Sequence, residues 1–467
     1  MKRSGHSLPV SRRARPARRG LTVAAIGPLR LVILSFAALI LAGALLLMLP
    51  GATPADQPIG FIDALFTATS AVCVTGLVVR DTGAGFTAFG QALILALIQL
   101  GGLGIMTFSL ILVSLFGRKL SMLHRSVVGQ TLAGGADWED FLPLLRIVFK
   151  YTLAVELLGA MLLFARWQPE LGTAAAAWNA VFDSISAFCN AGFGLWADSL
   201  TRWRGDGLVN LVIASLIVLG GLGYPIVYEV LKTRFDRRTL SVHTRIALAA
   251  TACLIAGGAA MIWLLEWRYS FAALATQDRL LAALFQSVTC RTAGFNTIDI
   301  GGLAPATLFL MILLMAVGGC PASTAGGLKT TTFSVIVLTA WSRLRHHKHV
   351  NVYNRTLPMT VVADSFSLTL AAVAILIAGV FLLLLMEDPA ARGGNFVFLD
   401  YLFETVSALS TVRLSTGVTA SLQPLSRIVI VALMFVGRLG PLTIADSLTQ
   451  YDRARDWRYA EEEVIIG

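Results

Sequence analysis

Long apolar stretches without a charge alternate along the chain with short polar segments. Seven such stretches of nine to 25 residues occur, at positions 31–49, 92–116, 208–228, 246–265, 308–317, 368–386 and 428–436. A helix needs about 20 apolar residues to cross a bilayer, so the longer stretches qualify outright and the shorter ones need polar or broken flanks. A transmembrane barrel would instead show short alternating strands. The pattern predicts an all-α polytopic membrane protein.

A shorter amphipathic pattern occurs four times between the apolar stretches. Four segments align on a phenylalanine, namely Phe66, Phe182, Phe285 and Phe403. Nine or ten residues further on, the segments align again at Gly76, Gly192, Gly294 and Arg413. The sequence around the last of these reads S-A-L-S-T-V-R-L-S-T-G, so an arginine stands where the other three copies have glycine.

A second shared element follows each copy at a distance of 24 to 28 residues. It reads G-G-L-G at 101–104 and 220–223, G-G-C-P at 318–321 and G-R-L-G at 437–440. Each unit is therefore a span, a short segment, a glycine turn and a second span, which predicts eight transmembrane spans. The predicted boundaries are a basic tail (1–29), repeat 1 (30–118), repeat 2 (119–232), repeat 3 (233–342), repeat 4 (343–450) and a C-terminal tail (451–467).

The short segments form about ten residues of helix, too few to cross the membrane. Non-helical backbone at membrane depth is tolerated only inside protein or along water, so four such turns are expected to meet around one axis. There their carbonyls replace the water around a cation, while each short helix directs its negative C-terminal end at the centre. Close helix packing is the alternative explanation for any single glycine. The pairing of four turns with four short helices favours a cation filter.

Positive charge is concentrated in a few segments. The formal net charge is +10, with basic clusters at 2–19, 118–125, 232–245, 343–355 and 453–458. The positive-inside rule places these clusters and both termini in the cytoplasm. Nucleic-acid binding and a cleaved signal peptide are the less favoured explanations of the basic N-terminus, which precedes a long span without a small-residue cleavage site.

Several motifs resemble one family closely. They are V-C-V-T-G-L at 72–77, C-N-A-G-F at 189–193, R-T-A-G-F-N-T at 291–297, G-G-C-P-A-S-T-A-G-G-L-K-T at 318–330 and G-R-L-G-P-L-T at 437–443. Over roughly residues 30 to 450 the chain resembles the potassium-translocating subunits of the Trk/Ktr/HKT superfamily, the KtrB branch most. The resemblance implies four M1–P–M2 units around a central pore, transport of K⁺ with Na⁺ dependence in some members, a homodimer, and a cytoplasmic KtrA-like nucleotide-binding ring.

The resemblance also implies which residues line the selectivity filter. Gly76, Gly192 and Gly294 correspond to the family's filter glycines, whereas the fourth position, commonly glycine, is Arg413. The expected ion-binding residues are Val74, Thr75, Gly76, Asn190, Ala191, Gly192, Thr292, Ala293, Gly294, Thr411, Val412 and Arg413.

Arg413 allows two interpretations. A guanidinium about 4 Å from K⁺, at an effective dielectric constant near 20, costs about 4 kcal/mol, or roughly a thousandfold in occupancy. We therefore expect the side chain to point away from the axis and to pair with a carboxylate, either Glu404 or Asp183. The alternative is an arginine within the pore that acts as a tethered cation or attracts anions.

The segment 318–327 interrupts the second span of the third repeat, either as a kinked helix or as an intramembrane loop that gates the pore. The resemblance favours the gating loop, near 318–330. Lys329 and Arg438 lie in the second spans of repeats three and four, where they either reach the inner interface or act electrostatically near the gate. The expected gate residues are Gly318, Gly319, Pro321, Ser323, Thr324, Gly326, Gly327, Lys329 and Arg438.

Three acidic residues follow the filter glycines by five or six positions, namely Asp81, Asp198 and Asp299. A ring of acids at the outer mouth would concentrate cations. For each acid alone, an ordinary solvated loop residue is an equally good interpretation. Their common offset predicts an outer vestibule.

Three functions compete. K⁺ uptake through a filter is the first, and a membrane sensor or scaffold whose conduction is impaired by Arg413 is the second. A secondary transporter of organic solutes is the third, but it predicts inverted repeats, whereas these four run in one direction. An enzyme is not expected, because the sequence has no nucleophile–base pair, metal-ligand cluster or P-loop. The five cysteines form no CxxC pair, so neither a disulfide framework nor a metal site is expected. Cys73, Cys189 and Cys290 are interpreted as small residues that pack the short helices.

Overall fold

The computed structural model describes residues 28–115, 141–234, 236, 239–387 and 397–440. The predicted tails lie outside these ranges apart from residues 28 and 29, as does the basic segment 118–125. The described chain is mostly helical, as the sequence predicts. A hairpin of two short strands, β1 (Asn351–Val352) and β2 (Arg355–Thr356), is the only sheet among the described residues.

Within the described ranges the order of a long helix, a short helix, a turn and an apolar helix occurs four times, and three further α-helices lie between these elements. The α-helices of the described ranges are α1 (Pro28–Leu47), α2 (Phe61–Val72), α3 (Thr82–Gly85), α4 (Ala88–Leu115), α5 (Phe141–Leu171), α6 (Thr173–Phe188), α7 (Gly207–Leu222), α8 (Tyr224–Lys232), α9 (Val242–Glu266), α10 (Thr276–Thr289), α11 (Pro305–Ala316), α12 (Thr330–Leu344), α13 (Met359–Met386), α14 (Phe398–Leu409) and α15 (Pro424–Leu439).

Four short helices, α2, α6, α10 and α14, correspond to the amphipathic segments of the sequence. Each contains the aligned phenylalanine, and all four phenylalanines are at most 2% exposed. Each helix is followed by a buried C-cap residue with helical φ and ψ, namely Cys73, Cys189, Cys290 and Ser410. The short helices are therefore anchored by one buried ring each, and the turns begin at equivalent places.

Many large apolar side chains of the long helices face outwards. In α13, Leu370 is 73% exposed and Ile377 is 64% exposed, which suits contact with lipid rather than water. Among the described residues, three helices are long and apolar enough to cross a membrane: residues Arg146–Leu171 of α5, and helices α9 and α13. Helices α7 and α8 make a fourth if the pair, bent by 95°, counts as one span.

Residues 317–329 separate α11 from α12 and are not helical. The kinked-helix interpretation of this segment is therefore wrong. Its two ends are joined, because the Gly318 amide donates to the Leu328 carbonyl at 2.8 Å and the Thr330 amide donates to the Gly319 carbonyl at 3.0 Å. The segment is therefore a loop whose two ends are hydrogen-bonded to each other, and it is called the 317–329 loop below.

The packing of the helices closes on itself. Helix α4 packs against α6, α7 against α10, α11 against α14, and α15 returns to α2. An ion pair between Arg427 Nη1 of α15 and Asp63 Oδ1 of α2, at 2.5 Å, links the last of these helices to the first. The four short helices thus belong to one closed arrangement in chain order.

Candidate functional site

Four turns with the same backbone conformation follow the short helices, at 74–76, 190–192, 292–294 and 411–413; they are called the four turns below. In each, the first residue has a positive φ: Val74 (55°), Asn190 (58°), Thr292 (66°) and Thr411 (53°). The third residue also has a positive φ: Gly76 (82°), Gly192 (69°), Gly294 (79°) and Arg413 (79°). An L-residue such as Arg413 adopts this region at a cost of about 1–2 kcal/mol, whereas glycine does not.

Each turn is held by a hydrogen bond back to its short helix. The amides of Thr75, Ala191 and Val412 donate at 2.8 Å to the carbonyls of Ser70, Ser186 and Ser407. In the third turn the Ala293 amide donates to the Thr289 carbonyl at 3.0 Å. All four acceptors lie four residues after the aligned phenylalanine. The stretch between the acceptor and the turn is one residue shorter in the third copy, which accounts for the spacing of nine rather than ten there.

The turns lie side by side in chain order. A Cβ placed on Gly76 would collide with the Ala191 carbonyl oxygen of the second turn. The same substitution at Gly192 would collide with the Ala293 carbonyl, and at Gly294 it would meet the Val412 carbonyl at 2.5 Å. Each glycine therefore packs against the carbonyl that precedes the third residue of the next turn. Glycine is required there both for its positive φ and for this close approach.

The Arg413 side chain lies among the three glycines. Its Cδ is 2.7, 2.6 and 2.9 Å from the positions where a Cβ would stand on Gly76, Gly192 and Gly294. The sequence predicts that this side chain points away from the axis, but it lies on the side of the three glycines and close to all of them. The reason is the positive φ of Arg413, which directs Cβ to the side of the backbone that the glycines leave empty.

Asp183, and not Glu404, is the buried carboxylate that attracts the Arg413 guanidinium. Asp183 and Asp81 are the two acidic groups that interact electrostatically with the guanidinium. Glu404 accepts a hydrogen bond from the Thr419 hydroxyl instead. Arg413 Cζ also lies 5.9 Å from the centre of the Phe193 ring, at the outer limit of a cation–π contact.

The 317–329 loop contacts the turns and the helices that carry them. The Thr324 hydroxyl donates to the Phe188 carbonyl at the end of α6, at 3.2 Å, and the Cys320 amide donates to the Gly221 carbonyl at 2.9 Å. A Cβ on Gly326 would collide with the Thr411 hydroxyl of the fourth turn. Ser323 closes a local turn by donating to the Cys320 carbonyl at 2.6 Å. The loop therefore lies directly against the second and fourth units.

Arg438 joins three parts of the chain. This residue of α15 is 7% exposed, and its Nη1 donates to the Thr324 carbonyl of the loop. Its Nη2 donates to the Gly101 carbonyl of α4 at 2.8 Å. Lys329 has a more local role, because its Nζ donates to the Ala325 carbonyl at 2.7 Å, within the loop.

The three acids that follow the turns have local partners. Asp81 accepts a hydrogen bond from the Ala84 amide at 2.6 Å and caps α3. Asp198 accepts from the Thr201 hydroxyl at 2.6 Å, and Asp299 from the Gly301 amide at 3.2 Å. Asp198 and Asp299 are exposed. A common vestibule formed by these acids stays a prediction.

Glycines of the second shared element pack against the ends of the short helices. A Cβ on Gly101, Gly220 or Gly437 would collide with the last carbonyl of α2, α6 or α14. At the fourth position, Gly318, it would collide with the Gly326 carbonyl of the loop. Close packing, the alternative considered for single glycines, thus explains the glycines of this second element. The glycines of the four turns are explained by their positive φ as well.

One buried polar cluster was not found by reasoning from the sequence. Glu156, in the middle of α5, is 4% exposed and accepts two hydrogen bonds of 3.2 Å from Gln99 Nε2 of α4. The thiol of Cys189 lies beside both side chains. The signal was present in the sequence as a single acidic residue within the apolar run Y-T-L-A-V-E-L-L-G.

Comparison with known proteins defines the class of this molecule. The family model TrkH, described as cation transport protein, matches residues 14–450. The chain therefore belongs to the TrkH family of cation transport proteins, and the sequence-based resemblance to the Trk/Ktr/HKT superfamily is confirmed.

Three relatives with named functions are similar to this chain over nearly its whole length. The chain is 38% identical over 446 residues to the Ktr system potassium uptake protein B of Bacillus subtilis, covering 94% of this chain and 97% of that protein. It is also 38% identical to the protein of the same name from Vibrio alginolyticus, covering 94% and 95% of the two chains. The potassium/sodium uptake protein NtpJ of Enterococcus hirae is 33% identical, with 95% and 98% covered. All three are named as uptake proteins and none as an enzyme.

A crystal structure with a similar fold is known. The crystal structure of the potassium transporter TrkH from Vibrio parahaemolyticus superposes with a TM-score of 0.72 at 18% sequence identity, covering 93% of this chain and 87% of that one. At this identity the likeness concerns the fold alone.

Proposed function

We propose that this protein takes up K⁺ across the cytoplasmic membrane through a pore lined by the four turns. The observation that carries the proposal is the shared conformation of these turns, each at the C-terminal end of a short helix and each packed against the next in chain order. Short helices that end at a common centre direct the negative ends of their dipoles towards a cation. Carbonyls of the turns then replace the water around the ion.

The proposed membrane arrangement has eight spans in four M1–P–M2 units. The spans are α1, α4, α5, α7 with α8, α9, α11 continued by α12, α13 and α15. The exposed apolar side chains of α13 and the bend between α7 and α8 support a multi-pass arrangement. Both termini lie in the cytoplasm in this proposal, by the positive-inside rule.

The 317–329 loop is the proposed gate. It lies against the fourth turn and the end of α6, and Arg438 holds it to α4 through two carbonyls. A loop that leaves this position would lose those bonds and would free the space beside the turns. Asp81, Asp198 and Asp299 are proposed to draw cations to the opposite, outer mouth.

Regulation and ion coupling are proposed from the relatives. Two relatives are named as components of Ktr systems, which supports a cytoplasmic nucleotide-binding subunit as the partner of a homodimer. The name of the Enterococcus relative includes sodium, which supports a role for Na⁺ beside K⁺. A conduction-impaired sensor is the second candidate function, and the position of the Arg413 side chain among the glycines favours it.

The test is Rb⁺ uptake by cells that lack their own K⁺ uptake systems. We expect uptake from the native chain, from Arg413→Gly, or from both. In the Arg413→Gly background, Gly192→Ala should abolish uptake, because its Cβ collides with the Ala293 carbonyl. Gly257→Ala is the matched control, since nothing lies within 4 Å of its Cβ. If neither the native chain nor Arg413→Gly carries Rb⁺ while both reach the membrane, the proposed function is wrong.

A further inference from the structure

Arg413 differs from the third residues of the other three turns in having a side chain. Its backbone has the same positive φ as the three glycines, so its side chain leaves on the side where they lie. The Cδ atom is less than 3 Å from the place of a Cβ on each glycine. The aliphatic part of Arg413 therefore fills the space that the three glycines leave open between the turns.

The guanidinium is in an unusual environment. Its Nη1 is buried and has no hydrogen-bond partner among the described residues. Asp183 is also fully buried and lies beside the Trp196 indole, but among the described residues neither group has a hydrogen bond of ordinary geometry. Arg413 and Asp183 nevertheless attract each other electrostatically, and Asp81 adds to the attraction. A buried cation thus lies near a buried anion without direct contact.

We propose that Arg413 is a tethered cation that occupies the ion path at the four turns and limits K⁺ flux through the native chain. This inference rests on the proposed function, because it assigns the obstruction to the same pore. Arginine keeps its charge in every protein environment, so a K⁺ ion entering the turns meets a fixed positive charge. The Asp183 carboxylate is a positioning group that attracts the guanidinium without contacting it.

Substitutions at position 413 separate the effect of charge from that of volume. Initial rates of Rb⁺ uptake at low external Rb⁺ are compared for the native chain, Arg413→Gly, Arg413→Gln and Arg413→Lys. We expect Arg413→Gly to exceed the native rate at least tenfold, Arg413→Gln to be intermediate and Arg413→Lys to stay near the native rate. Gly257→Ala controls for expression and insertion.

Two outcomes would overturn the inference. Equal uptake by the native chain and Arg413→Gly would show that the arginine does not limit flux, while K⁺ uptake itself would stand. An inactive Arg413→Gln beside an active Arg413→Gly would make volume, and not charge, the cause. Absence of uptake in every variant despite membrane insertion would contradict the proposed function instead.

A binding measurement tests the same inference without flux. The full-length native chain and Arg413→Gly are purified in detergent, and thermal unfolding is followed as K⁺ is exchanged for choline. We expect K⁺ to raise the Tm of Arg413→Gly, because an ion that binds the folded state stabilises it. The native Tm should not change, since its own guanidinium takes the place of the ion. An equal shift in both proteins would contradict the inference.

Discussion

At the scale of single residues, Arg413 and Asp183 are the pair that distinguishes this chain. The spacing of the four copies predicts where Arg413 lies, but both candidate carboxylates were one position after an aligned phenylalanine. Only the packing decides between them, because Glu404 accepts a hydrogen bond from Thr419, whereas Asp183 attracts the Arg413 guanidinium. The direction of the arginine depends on the sign of its φ, which no local pattern specified.

A double-mutant cycle tests the pairing. We expect Asp183→Asn to lower the free energy of unfolding of the native chain. In the Arg413→Gly background the buried carboxylate has lost its cation, so the same substitution should lower the free energy of unfolding less, or raise it. The coupling should be about 1–3 kcal/mol in thermal unfolding of the purified protein. Glu404→Gln is the control, and its effect should add to that of Arg413→Gly. Additive effects for Asp183 would show that the two groups do not interact.

At the scale of helices, the second shared element positions the short helices. Gly101 of α4 lies against the Val72 carbonyl that ends α2, and Gly220 and Gly437 repeat this contact for α6 and α14. The absence of a side chain lets the backbones approach, so each short helix ends at a defined depth. The sequence shows that these glycines recur with the turns, but their contact partners lie about 30 residues earlier in the chain and appear only in the packed structure.

Replacing a glycine at this contact by alanine should lower the stability of the protein. We expect Gly101→Ala to destabilise the protein by about 1–3 kcal/mol, the cost of overpacking, and to lower Rb⁺ uptake in the Arg413→Gly background. Gly104→Ala on the same helix is the matched control, because its Cβ would make an ordinary 3.5 Å contact with Phe36. Thermal unfolding in detergent measures the difference. Similar Tm values for the two variants would contradict the close-packing role.

At the scale of the whole molecule, two arginines of α15 connect distant units. Arg427 links α15 to α2 through Asp63, which joins the last unit to the first. Arg438 binds the 317–329 loop and α4 at once. The sequence predicts that Arg438 acts either at the interface or near the gate. The structure places it against the loop, because the loop folds back between helices that are far apart in the chain.

The role of Arg438 in gating is testable by comparison with Arg427. In the Arg413→Gly background, we expect Arg438→Gln to raise the Rb⁺ uptake rate about tenfold, the equivalent of about 1.4 kcal/mol lost from the closed position of the loop. Arg427→Gln should leave the rate unchanged, since its partly exposed ion pair lies away from the loop. An unchanged or lower rate for Arg438→Gln would contradict the proposal that this arginine holds the gate closed.

The sequence by itself determined the helical membrane class, the four copies and the position of Arg413. Each of these depends on periodicity and spacing, which are local properties of the chain. The tertiary structure decided that the Arg413 side chain lies among three glycines, that Asp183 attracts its guanidinium and that the 317–329 loop contacts the fourth turn. These contacts join residues more than 80 positions apart, and their geometry depends on positive φ values and on the absence of side chains at neighbouring turns.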